Sequence, residues 1–168
     1  MSRVSMAIML ALLLLITAGN VVGAEMAKEG SGEYRSGKTG TFEFIAMGKE
    51  LVQMNFEETG VVVSAPENSP LYNASFRDIG TLHAVKGEWK CSGMVEFTRP
   101  NGDKIFTTFV GEGVLGGPSK GVHTFVGGTG TCAGIEGTLE LKNTPGIKPT
   151  KKDTYYDVSV GNFSWKIP

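Results

Sequence analysis

Few side chains in this sequence have the type and spacing that chemistry needs, and Glu112 is the most pointed of them. Asn101-Gly102 suits a two-residue type I′ hairpin turn, because both central residues of that turn need positive φ. Such a turn pairs Phe97 with Phe106, Val95 with Thr108 and Cys91 with Glu112. Glu112 then shares a face with Phe97, Phe106 and Val110, where desolvation would raise its pKa and fit it for acid or base work. The flanking Gly111 and Gly113 also suit a strand that ends there, leaving Glu112 in solvent at a rim. A turn at Gly48-Lys49 sets Gln53 and Asn55 opposite Phe44 and Phe42, as amide handles in a ligand cavity or simply as outward-facing residues. Tyr155 and Tyr156 alternate along the last strand, so one points inward and needs a hydroxyl partner. The ligand-facing set expected from these patterns is Gln53, Asn55, Phe97, Phe106 and Tyr156.

The remaining candidates argue for less. His83 and His123 are the only histidines and fall on separate strands with no Cys, Asp or Glu at ligand spacing, so they read as structural or exposed, and no metal is expected. No Gly-x-Ser-x-Gly elbow or other nucleophile motif is present, and no cofactor motif stands out. Cys91 and Cys132 are the only cysteines; in an exported chain one disulfide between them is the expectation, with two separate buried thiols as the alternative.

Export is suggested by residues 1–24. Arg3 is the only charge before Glu25, Ala7 to Ile16 is wholly apolar, and Val22-Gly23-Ala24 supplies small residues for cleavage. That order reads as a secretory signal, and ten apolar residues are too few to span a bilayer. The mature part would be secreted or periplasmic, with no membrane association after signal removal. Of the chain's 16 basic and 17 acidic residues only Arg3 is lost with the signal, leaving 15 against 17 and a net charge of −2. No basic patch stands out, so nucleic acid is not an expected partner. Asn73-Ala74-Ser75 and Asn162-Phe163-Ser164 fit the glycosylation pattern, which matters only in a eukaryotic secretory pathway.

The elements that must position these residues are short strands. Residues 25–40 are polar and rich in Gly, Ser and Lys, and read as a flexible lead or a poorly paired first strand; residues 41–168 read as one domain. Strand-like runs fall at about 41–47, 50–57, 59–64, 71–85, 88–98, 104–112, 121–126, 134–142 and 154–166, separated by Gly, Pro and Asn breaks. No helical apolar stripe interrupts them. The hairpin around Asn101-Gly102 is apolar on both faces. With no helix to cover a second apolar face, the sheet must meet another subunit or close into a barrel.

Two segments carry a family resemblance. They are Arg99-Pro100-Asn101-Gly102-Asp103-Lys104-Ile105-Phe106, continuing to Phe109-Val110-Gly111, and Phe125-Val126-Gly127-Gly128-Thr129-Gly130-Thr131-Cys132-Ala133-Gly134-Ile135-Glu136-Gly137. Together they resemble small exported bacterial proteins of the allene oxide cyclase-like barrel group, which also contains the plant dirigent proteins. The resemblance implies an all-β, eight-stranded antiparallel closed barrel, often trimeric, with an apolar cavity. Plant members use that cavity to steer cyclisation or coupling of a reactive lipid or phenolic intermediate. No family catalytic pattern can be laid on this chain residue by residue. The expected function is therefore binding of a small apolar or phenolic molecule, with isomerisation or cyclisation as its chemistry where it has one. The alternatives are a non-enzymatic envelope protein and a structural barrel whose outer faces serve a homotrimer or homodimer.

Overall fold

The computed structural model describes residues 25–48, 50–147 and 150–168; the expected signal segment and Lys49 lie outside them. Eight strands follow one another: β1 (Glu29–Ala46), β2 (Leu51–Ser64), β3 (Ser75–Val85), β4 (Glu88–Thr98), β5 (Lys104–Val114), β6 (Ser119–Gly128), β7 (Glu136–Ile147) and β8 (Thr154–Lys166). Each pairs antiparallel with its neighbour, and β8 closes on β1. The sheet thus has no free edge, which is how a two-sidedly apolar sheet without helices avoids pairing with other chains.

The strands tilt strongly. A line of direct cross-strand partners from Gly40 runs through Glu58, Asp78, Val95, Thr107, Phe125, Gly137 and Trp165, and returns to β1 at Gly30, ten residues lower. Residues level with one another around the lumen therefore lie on different hydrogen-bonded lines.

The base of the barrel is filled and closed. Tyr34, Val62, Phe76, Phe97, Ile105, Phe125, Leu139, Phe163 and Trp165 turn inward there and are buried. Phe76 packs on Phe97 at 5.5 Å between ring centroids, and Phe163 stacks on Trp165 at 5.1 Å. Burying each such side chain contributes about 1.5–3 kcal/mol. The β2–β3 loop seals the end with Ser69, Pro70 and Leu71, and the short 3-10 turn Gly130–Cys132 seals beside it with Cys132 and Ile135, all fully or almost fully buried. The described chain ends meet at this same end: Ile167 N–H donates to the Lys28 carbonyl (2.6 Å), and Lys28 Nζ donates to the Pro168 carbonyl (3.2 Å).

The polar lead expected over residues 25–40 is, from Glu29 on, the first half of β1, paired on both sides. Its glycines and serines serve close packing. At Gly40 a Cβ would lie 2.6 Å from the ring of Tyr155, so only glycine lets that ring lie flat on the wall.

Two hairpins differ from the expected register by one residue each. The β4–β5 loop does not use Asn101-Gly102 as a two-residue turn. Gly102 N–H donates to the Arg99 carbonyl (2.9 Å) and Arg99 N–H to the Asp103 carbonyl (2.9 Å), which leaves three residues in the loop. Pro100 takes the second position of the turn, where its fixed φ fits, and Gly102 follows at φ +87°. Asn101 Oδ1 accepts from Asp103 N–H (3.1 Å) and fixes the exit. Phe97 consequently pairs with Ile105 and Cys91 with Gly111. The β1–β2 loop behaves alike: Met47 N–H donates to the Leu51 carbonyl (2.8 Å), so Phe44 pairs with Met54 and Phe42 with Phe56. A slip of one residue moves a strand's side chains to the opposite face.

Candidate functional site

Strand alternation sends an unusual set of side chains into the middle of the lumen. Lys38 on β1, Glu58 on β2, Asp78 on β3, and Tyr155 and Asp157 on β8 converge above the apolar base. Lys38 Nζ lies 2.7 Å from Glu58 Oε2 and 3.9 Å from Asp157 Oδ2. The Tyr155 hydroxyl donates to Glu58 Oε1 at 2.6 Å. Asp78 is the direct cross-strand neighbour of Glu58 and shares a hydrogen bond with it. Asp78 Oδ1 and Asp157 Oδ1 are buried with no hydrogen-bond partner.

Burial sets the electrostatics of this layer. It pushes Asp78 up to about 8, and the negative Glu58 beside it adds to the shift. At neutral pH Asp78 therefore holds a proton and donates it to Glu58. Burial alone would raise Glu58 too, but the Lys38 charge and the hydrogen bonds from Lys38 and Tyr155 outweigh it and hold Glu58 below the usual carboxylate range. Lys38 is raised, because the attraction of Glu58 overcomes its own desolvation. Burial pushes Asp157 up to about 6, against the pull of Lys38. Two carboxyls in one layer thus sit on opposite sides of neutrality, the pattern from which acid and base roles arise.

Around these groups the lumen has two unlike walls. Phe42, Phe56, Trp89 and Tyr155 form an aromatic collar toward the mouth, the end that carries the β1–β2, β3–β4, β5–β6 and β7–β8 turns. The rings of Phe42 and Tyr155 are 6.1 Å apart. On the opposite wall, above His123 and Leu141, β5 to β7 present Gly111, Gly113, Ser119, Gly121 and Asn143. A Cβ placed at Gly121 would meet only backbone of the neighbouring strand within 4 Å, so the lumen is open in front of it. The Lys38 and Asp157 side chains keep 11% and 16% of their surface accessible, so the ionisable layer is reachable. His123 is buried, stacked on Phe109 at 5.2 Å and within 3.3 Å of Thr107 Oγ1; burial lowers it to about 4, and it is neutral at pH 7.

Most residues singled out in the sequence lie elsewhere. Because of the register slips, Phe106, Val110 and Glu112 face outward; Glu112 is exposed, pairs with Lys120 at 2.9 Å, and is held low by that lysine, not raised by burial. Gln53 and Asn55 fall on the outer face with Glu57. Phe97 does point inward, but it is packed into the base at 1% exposure. Of the tyrosine pair, Tyr155 enters the lumen, while the Tyr156 hydroxyl lies 3.2 Å from Thr150 Oγ1 on the outside. His83 is exposed on the outer face, so the two histidines do not meet.

Cys91 and Cys132 are both free, in place of the expected disulfide. Cys91 pairs with Gly111, whereas Cys132 lies at the base near Gly128, the partner of Ile105. Six residues along β5 separate those levels, about 20 Å at the usual rise of a strand, far beyond what a disulfide can bridge. Cys91 faces the lumen, and burial pushes its thiol up to about 11.

Two residues of the ionisable layer, Asp78 and Glu58, have a signal in the sequence. Phe76, Asp78, Gly80, Leu82 and Ala84 form one alternating face, and it is the apolar one, so Asp78 is on the core side. Glu57 and Glu58 are adjacent in one strand, so one of them must turn inward.

No protein-family model matches the sequence, and no curated protein does. Among solved structures the chain is similar to the pterocarpan synthase dirigent protein GePTS1, with a TM-score of 0.52 and 12% identity over 86% of this chain and 90% of that one. At such identity the likeness is one of fold: the chain is a dirigent-like, eight-stranded closed barrel.

Proposed function

We propose that this barrel binds a small apolar or phenolic molecule in the upper half of its lumen, between the aromatic collar and the glycine-rich wall. The observation that carries this reading is the pairing of a wall that leaves space, at Gly121, with a floor of buried ionisable groups around Glu58 and Asp78. A solid core has no use for either. Cavities that bind small molecules are mostly apolar with a few fixed polar groups, and this lumen has that composition. The dirigent neighbour acts in pterocarpan synthesis, as its name states, which supports a ligand of aromatic character. Where the bound molecule reacts, the chemistry available is proton transfer: Asp78 carries a proton at neutral pH and Glu58 does not. Isomerisation or cyclisation in the manner of the allene oxide cyclase-like group needs little more than that, with positioning and exclusion of water. Residues 1–24 support export of the mature chain to a periplasmic or extracellular site.

Trp89 sits in the collar and reports on binding. Saturable quenching of tryptophan fluorescence by 4-ethylphenol is expected, and it should vanish when Gly121→Leu fills the space in front of that position. Gly37→Leu, which faces open space outside, should leave it intact. Equal quenching in both variants would place the ligand outside the lumen and end this reading.

A second reading has its own observation. Ile79, Met94, Val110 and Val122 are 42–62% exposed on the outer faces of β3–β6 and lie among Thr and Ser side chains. Such a patch favours self-association as a homodimer or homotrimer. Sedimentation velocity on the wild type and on Met94→Lys distinguishes an oligomer that depends on this face from a monomer.

A further inference from the structure

The lumen is short of positive charge. Among the described residues, Lys38 is its single cationic group, set against the anionic Glu58 and Asp157, while Asp78 holds its proton at neutral pH. The other titratable groups turned toward this layer, Tyr34, Cys91, His123 and Tyr155, are neutral at pH 7. Lys38 is already committed to Glu58 at 2.7 Å and reaches Asp157 only at 3.9 Å. One oxygen of Asp157 and one of Asp78 are left without a donor, and Asp78 is only 5% exposed. Unpaired buried carboxyl oxygens are costly, and they leave the negative charge of this layer undercompensated. Above them stand the rings of Phe42, Trp89 and Tyr155, whose faces attract cations.

We propose that the upper lumen is built for a small aromatic molecule carrying an ammonium group, with Asp157 as its counter-charge and the collar as its apolar seat. The proposal rests on the cavity reading above and narrows it to a charge class. An amine entering from the mouth meets the part of the Asp157 side chain that stays accessible, 16%, and balances the excess carboxylate. A ligand carboxylate would meet the same excess as repulsion. Three groups face Asp157 from the elements around it: Lys38 from β1, Glu58 from β2, and Tyr155 on its own strand. Burial and Glu58 raise Asp157 while Lys38 lowers it, to about 6. The preference for an amine should therefore be full above that pH and fade below it as Asp157 takes up a proton.

Three probes of one shape separate the outcomes: tyramine, 4-ethylphenol and 3-(4-hydroxyphenyl)propanoate, titrated calorimetrically into the mature chain at pH 7.5 and pH 5. Tyramine should bind about five- to tenfold more tightly than 4-ethylphenol at pH 7.5, with the propanoate weakest. Asp157→Asn should erase the tyramine advantage over 4-ethylphenol, while Trp89→Leu should weaken all three probes, tyramine the most. Equal affinity for tyramine and 4-ethylphenol, or an advantage that survives Asp157→Asn, would overturn the ammonium site and leave the cavity reading standing. Failure of all three probes to bind would remove both.

Discussion

The two ends of the lumen are made from the same eight strands yet obey opposite rules. At the base, large side chains meet and fill the lumen: Phe97, Ile105, Leu139 and Leu71 are almost completely buried, and loops close the end. Toward the mouth, the walls thin to glycine and serine, and the buried groups are Lys38, Glu58, Asp78 and Asp157. The base supplies the apolar burial that lets the upper half hold a cluster whose desolvation is unfavourable. Stability and chemistry are separated along one axis.

Substitutions at the two ends should therefore differ in size and sign. The largest loss is expected at the base, where Phe97→Ala should cost about 3–5 kcal/mol in urea denaturation, while Phe42→Ala at the mouth should cost far less. If the two losses were equal, the division between a packed base and an open mouth would be wrong. Next comes Glu58→Gln, which leaves Lys38 buried without its partner and should cost about 3 kcal/mol. The double variant Lys38→Met/Glu58→Leu should recover much of that loss.

Acidity offers a third comparison. Asp78 has a folded pKa of about 8, above its unfolded value, so the folded chain binds the extra proton between roughly pH 4 and 8. Its contribution to stability is complete below pH 4 and is lost as pH rises toward 8; Asp157 acts the same way up to about 6. Glu58, lowered in the fold, works oppositely and loses its contribution only at acid pH. His123, lowered in the fold, adds stability as pH rises to about 6.5, so the melting temperature should fall from pH 6.5 to pH 8, and Asp78→Asn should flatten that fall. A wild-type profile that rises over this interval would contradict a protonated Asp78. The smallest effect is expected on the outer wall, where Glu112→Gln should leave both melting and probe binding unchanged, since its pair with Lys120 is solvent-exposed.

The barrel itself could be read from the sequence because period-two alternation, closely spaced turn residues and the lack of a helical stripe all agree. The site could not, for a reason visible at Pro100. A two-residue turn at Asn101-Gly102 and a three-residue turn that begins at Pro100 contain the same residues, and the choice moves Glu112 from lumen to solvent. The same ambiguity at Gly48 misplaced Gln53 and Asn55. Lys38 was hidden by composition: a lysine among Gly, Ser and Thr looks like a solvated lead until β8 pairs beside it. Asp78 was the exception, since the alternation of β3 alone puts it on the buried face.

Lys28 and Pro168 clasp each other beneath the sealed floor, on the side away from the collar. A handle, dye or surface tether attached at either place would stand behind the barrel, so immobilised protein would present its opening outward. Joining the two by a short linker and cutting at Lys86-Gly87 would give a rearranged chain that still closes the same ring of strands.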